Sequence, residues 1–111
     1  MRDDKKNSPY LLHIHDAIEK IIPYTTSHSF QQFEENQWDQ AAVLRYLEVI
    51  GEAASKLDLS FRQANPQIPW REIIDLRNVV VYHYMDVDIA LIWKIVAGDS
   101  PKLKEQIDKI V

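Results

Sequence analysis

The sequence contains no cysteine, which removes disulfides, thiolate nucleophiles and thiolate metal sites together and fits a reducing, cytoplasmic setting. Glycine is nearly absent as well. Two glycines in 111 residues leave no glycine-rich phosphate loop and little of the turn chemistry that β-hairpins need. Apolar runs are only a few residues long, so no membrane span is expected, and Met1-Arg2-Asp3-Asp4-Lys5-Lys6 leads into no apolar signal-peptide segment. Basic residues are outnumbered, 13 Lys and Arg against 17 Asp and Glu, for a formal charge of −4. This balance argues against a broad electrostatic footprint on nucleic acid but leaves room for a small, local phosphate site. The expectation is an all-α protein with a single domain over residues 1–111, large enough to bury well over half of its unfolded surface without metal or crosslink.

Helix signals follow one another at short intervals along the chain. Ser8-Pro9 supplies a cap and a first-turn proline, after which Leu11, Ile14, Ile18, Ile21 and Ile22 recur at helical spacing to about residue 24. His13 and His15 lie about 200° apart on that helix, so they cannot share a metal ion within it, and both are expected in solvent or at the core edge. Phe30 and Phe33 mark a short turn that tucks two rings onto the core. A second long helix is expected from about Gln37 to Lys56, with Val43, Leu47, Ile50, Gly51, Ala54 and Leu57 as its inner stripe. Gly51 and Ala54 would let a neighbouring helix approach closely. Glu48 and Glu52 are four apart, a spacing at which paired carboxylates can do acid and base work or hold a metal, but Arg45 shares their side, which favours a solvated ion-pair face; the same glutamates could line a second interface. Residues 59–65 read as another short turn closed by Pro66, and Pro69 opens the next helix. Met85-Asp86-Val87-Asp88 caps a helix carrying Ile89, Ile92, Trp93 and Val96 that stops near Gly98. Asp99-Ser100-Pro101 caps a last one with Leu103, Ile107, Ile110 and Val111. Four to five helices with short connections predict an antiparallel bundle.

Charge, amide, imidazole and phenol groups crowd together between Pro69 and Tyr84. Drawn as a helix at about 100° per residue, Trp70, Ile73, Ile74, Val80, Val81 and Tyr84 fall within roughly 60° of Arg77. An arginine in an apolar stripe cannot shed its proton, so it requires an acidic partner, a phosphate or an interface where water remains. The run Val79-Val80-Val81-Tyr82 has strand propensity, yet the upstream helical pattern continues through it, and the helix is expected to end near Tyr82. The stripe is more apolar than a lone small bundle needs and suits an isologous contact with a second copy. A phosphodiester would use these groups without a metal. Arg77 would stabilise charge on the phosphoryl oxygens, Asn78 would help to orient them, and the His83 imidazole would move the proton. The residues alone also allow an arginine that merely closes an interface and a surface His83.

The runs Ile68-Pro69-Trp70-Arg71-Glu72-Ile73-Ile74 and Leu76-Arg77-Asn78-Val79-Val80-Val81 are followed by Tyr84, Asp86-Val87-Asp88 and Ile92-Trp93. Together with Gly51-Glu52-Ala53 and the opening Met1-Arg2-Asp3-Asp4, they resemble the HepT-like toxins of the HEPN superfamily over nearly the whole chain. The resemblance implies an all-helical homodimer, encoded beside a minimal nucleotidyltransferase (MNT) antitoxin. It implies RNA cleavage without metal or other cofactor, at a cleft shared by two subunits. Catalytic roles follow for Arg77, Asn78 and the motif histidine, and the antitoxin would transfer AMP onto the motif tyrosine, here Tyr84. A nucleotide beside Arg77 would occupy the phosphate site and repel RNA.

This chain departs from the family motif at one place. The motif histidine follows the arginine after four intervening residues, where this chain has Tyr82; its imidazole stands one place on, at His83. The wider superfamily tolerates four to six intervening residues, so Arg77 with His83 satisfies the looser pattern. A one-residue shift turns a helical side chain by about 100° unless the helix has ended. Tyr82, with a phenol pKa of about 10, would be a poor base near neutral pH, which leaves it an accessory role. The resemblance implies a ribonuclease toxin. Its alternative is a catalytically weakened helical dimer that serves the nucleotidyltransferase as binding partner or modification substrate.

Overall fold

The computed structural model describes residues 4–82 and 84–111, and the side chains of residues 6–81 and 85–111. Among them no strand occurs, and the architecture is an all-α bundle. Five helices are long: α1 (Asp4–Ser27), α3 (Gln37–Lys56), α5 (Trp70–Tyr82), α6 (Ile89–Gly98) and α7 (Ser100–Asp108). The short helices α2 (Phe30–Glu34) and α4 (Leu59–Ala64) link them, and a 3-10 turn spans Tyr84–Asp86.

Local chemistry sets most of the boundaries. Ser29 and Gln32 close a reciprocal capping box at the start of α2, the Ser29 hydroxyl accepting from the Gln32 N–H and the Gln32 side chain accepting from the Ser29 N–H. Asn36 Oδ1 accepts from the Asp39 N–H at the start of α3, and Asp88 Oδ1 accepts from the Leu91 N–H at the start of α6. The expected Asp99 cap is different: its side chain makes no capping bond, and α7 begins through Pro101 in its first turn beside a buried Ser100.

The start of α1 also departs from expectation. Ser8-Pro9 does not begin the helix, which starts at Asp4 and carries Pro9 and Pro23 inside it. A tertiary bond accounts for the added turn. Asn7 is buried, and its Oδ1 accepts from the Asp58 backbone N–H (3.1 Å), so residues ahead of Ser8 are tied to the start of α4.

Helix α3 is the centre of the bundle, packed on α1 along one side and on α5 along the other, while α7 covers α1 and α6 sits against α1, α2 and α7. Its expected inner stripe is buried throughout, with Val43, Leu47, Ile50, Ala54 and Leu57 in the core and Gly51 at the α5 contact. From α1 come Leu11, Ile14, Ile18 and Ile21. Phe33 and Trp93 pack ring on ring at 5.2 Å. Trp70 is buried at the start of α5, and its indole N–H donates to the Asn65 carbonyl (3.0 Å). The apolar stripe of α5 is divided: Trp70 and Val80 enter the core, Ile73 and Ile74 are half-buried, and Val81 is exposed. Among the described residues no helix is long and apolar enough to cross a membrane.

Candidate active site

Arg77 stands on the face of α5 that meets α3, and the absence of a side chain at Gly51 is what admits it. A Cβ at position 51 would collide with Arg77 Cβ and lie 3.0 Å from the Ile73 carbonyl oxygen. The aliphatic stem of Arg77 therefore crosses the α3 backbone, and the guanidinium emerges at the rim, the side chain as a whole being 28% exposed. There Nη2 pairs with Glu52 Oε1 at 2.6 Å, and Nη1 donates to Asn78 Oδ1 at 2.8 Å. Nε is buried without a partner. Among the described residues the remaining Nη donors have no partner, so the group is oriented from two sides while it keeps hydrogen-bonding capacity for an anion.

Of the three ways in which a semi-buried arginine could be satisfied, the structure supplies the first, an acidic partner. Glu52 is the residue that sequence reasoning did not connect to Arg77. The available signal was its place beside Gly51: the position that lets α5 approach α3 is followed directly by a carboxylate at the same contact. The expected ion-pair face also forms, with Arg45 Nη1 3.2 Å from Glu48 Oε1 and Lys56 Nζ 3.7 Å from Glu52 Oε2. Glu52 thus bridges a surface lysine and the semi-buried arginine.

A cleft of about 490 Å³ opens beside this arrangement. Helix α3 forms its floor with Arg45, Glu48 and Glu52; α5 contributes Arg77, and α1 contributes Tyr10 and His13. His13 is exposed, as expected, and His15 points elsewhere, with Nε2 3.4 Å from an Asp108 carboxylate oxygen. A groove of about 530 Å³ between α1, α4 and the last residues is lined mainly by Leu11, Leu12, Phe61 and Ile110 and lacks comparable chemistry. Among the described residues no group of three or more His, Cys, Asp or Glu side chains could hold a metal ion.

Residues 14–110 match the family model described as "Ribonuclease HepT-like". The chain belongs to the HepT-like ribonuclease family. A Thermococcus cleftensis protein named as a probable ribonuclease HepT is 37% identical over 106 residues, covering 96% of both chains. A Methanocaldococcus jannaschii protein provisionally named an RNase is 35% identical over 99 residues, 89% of this chain and 91% of its own length. A second protein of that organism, named for a gamma-glutamylcyclotransferase and provisionally for an RNase, is 41% identical over all 111 residues. The chain spans about half of that relative, 49% of its length. No solved structure gives a significant match.

The remaining residues of the expected HepT-like motif, Tyr82, His83 and Tyr84, have side chains outside the described residues. Helix α5 ends at Tyr82, and the 3-10 turn begins at Tyr84. Residue 83, on which the displaced histidine falls, lies outside the described residues.

Proposed function

We propose that this HepT-like protein is a ribonuclease toxin that acts as a homodimer, with RNA bound across Arg77 at a cleft shared by two copies. The observation that carries this reading is the orientation of Arg77 by Glu52 and Asn78 beside a cleft large enough for a nucleotide. In the proposed reaction the RNA 2′-hydroxyl attacks the adjacent phosphorus, and His83, as neutral imidazole, takes its proton. Arg77 and Asn78 hold the phosphoryl oxygens as negative charge builds on them. The bond to the 5′-oxygen breaks, and that oxygen takes up the proton held by the His83 imidazolium, which returns the imidazole to its neutral form. This chemistry asks for no metal. Tyr82 is an accessory at the same site.

The family resemblance also supports a means of control. An MNT nucleotidyltransferase antitoxin would transfer AMP from ATP to the Tyr84 hydroxyl with release of pyrophosphate, placing an anion and a base where RNA must bind. The competing reading, a catalytically weakened dimer that serves the nucleotidyltransferase as partner or substrate, is favoured by Tyr82 standing at the motif histidine position. The active reading is favoured by Arg77 and Asn78, which are hydrogen-bonded to each other at the rim of the cleft.

Induction of the protein alone in bacteria should arrest growth and degrade RNA, and Arg77→Ala or His83→Ala should abolish both effects. Normal growth with intact RNA would overturn the ribonuclease reading in favour of the partner reading. Co-expression with the nucleotidyltransferase should add AMP units to the intact mass, and Tyr84→Phe should prevent the addition.

A further inference from the structure

We infer that the cleft between α1 and α5 is a nucleoside subsite, in which the base adjoining the phosphodiester at Arg77 stacks on the ring of His13. The inference rests on the ribonuclease reading and specifies how that site holds its substrate.

Four observations carry it. Arg77, the phosphate-binding candidate, lines the same cleft as Tyr10 and His13, so a phosphate and its own nucleoside can occupy one continuous space. The volume, about 490 Å³, lies in the range of small-ligand pockets. Tyr10 is half-buried against the core, and its ring meets the His13 ring edge to face, with centroids 6.4 Å apart and planes at 83°. Tyr10 thereby braces His13 from one side, while His13 itself is exposed and makes no hydrogen bond among the described residues. Finally, Arg45 and Lys56 stand on the α3 side of the cleft, their side chains 69% and 52% exposed; their ion pairs with Glu48 and Glu52 are solvated, so a strand phosphate can exchange for the carboxylate. An aromatic platform beside a few phosphate-reaching cations is how proteins hold single-stranded nucleic acid without a broad basic surface. It also reconciles RNA binding with a formal charge of −4.

Stacking needs a flat ring and not a titrating one, which separates this role from proton transfer. The probe is a 2′-O-methyl trinucleotide, which cannot be cleaved through its 2′-oxygen. Its binding is measured by fluorescence anisotropy and by NMR of the four histidine rings, with His13 assigned from the His13→Ala spectrum. The His13 signals should shift saturably on titration. Affinity should fall about five- to tenfold in His13→Ala and return to within about twofold of wild type in His13→Phe. Unchanged affinity in His13→Ala would place the base elsewhere and overturn the subsite while leaving the ribonuclease reading intact. A loss in His13→Phe as large as in His13→Ala would overturn stacking. A wild-type protein that neither binds the probe nor cleaves RNA would remove both readings.

Discussion

Gly51→Ala is a small change that tests the contact on which the candidate site is built. The new methyl group would overlap Arg77 Cβ and lie 2.9 Å from Arg77 Cγ and 3.0 Å from the Ile73 carbonyl oxygen. None of these atoms is the far end of a flexible side chain, so relief requires α3 and α5 to separate. Overpacking of this kind costs about 1–3 kcal/mol. Alanine in a helix interior returns up to about 1 kcal/mol relative to glycine. The net expectation is a destabilisation of about 1–2 kcal/mol, or roughly 5–10 °C in the thermal midpoint for a domain of this size. Gly98→Ala is the control. It ends α6, and among the described residues an added Cβ would meet nothing within 4 Å beyond its chain neighbours and its own helix backbone, so it should be neutral or slightly stabilising. Circular dichroism melts at matched protein concentration read both variants. Arg77→Ala keeps the colliding Cβ and should not rescue Gly51→Ala, whereas Arg77→Gly should make the two changes less than additive. A Gly51→Ala midpoint at or above wild type would refute the close α3–α5 approach.

Two further predictions follow from single contacts. Glu52→Gln removes the anion that orients Arg77; with both groups partly solvated, stability should change by no more than about 1 kcal/mol. RNA cleavage should nevertheless fall about tenfold or more through loss of positioning, and equal cleavage rates at matched folded fraction would show that Glu52 does not position the guanidinium. Tyr24 Oη donates to Asp39 Oδ2 at 2.6 Å, and burial, reinforced by the Asp39 carboxylate, holds the phenol above its ordinary range. A raised folded-state pKa means that this contribution is fully present below about pH 10 and is lost as pH rises beyond it. Tyr24→Phe should therefore cost about 1 kcal/mol at neutral pH and flatten the decline of stability at alkaline pH; parallel declines in denaturant titrations of the two proteins would contradict the assignment.

The elements read from local pattern were those whose signals are local. The inner stripe of α3, the end of α5 near Tyr82 and the stop of α6 near Gly98 each depend on apolar period or on residues within a few positions, and each was legible. The start of α1 was not, because the bond that recruits its extra turn joins Asn7 to Asp58, 51 residues away. The candidate site divides in the same way. Arg77 announced itself as a cation in an apolar stripe, and the motif around it pointed to the HepT-like family.

The partner of Arg77 could not be read from that stripe. Glu52 lies on a different helix, on the face assigned to solvent or to a second interface, and it reaches Arg77 only because Gly51 brings α3 and α5 into contact. His13 likewise joins the same cleft only when α1 packs along α3. Composition and periodicity determined that this chain is a helical bundle with one arginine out of place. The tertiary structure decided what surrounds that arginine, since the packing of separate helices, rather than spacing along any one of them, sets which side chains share a cleft.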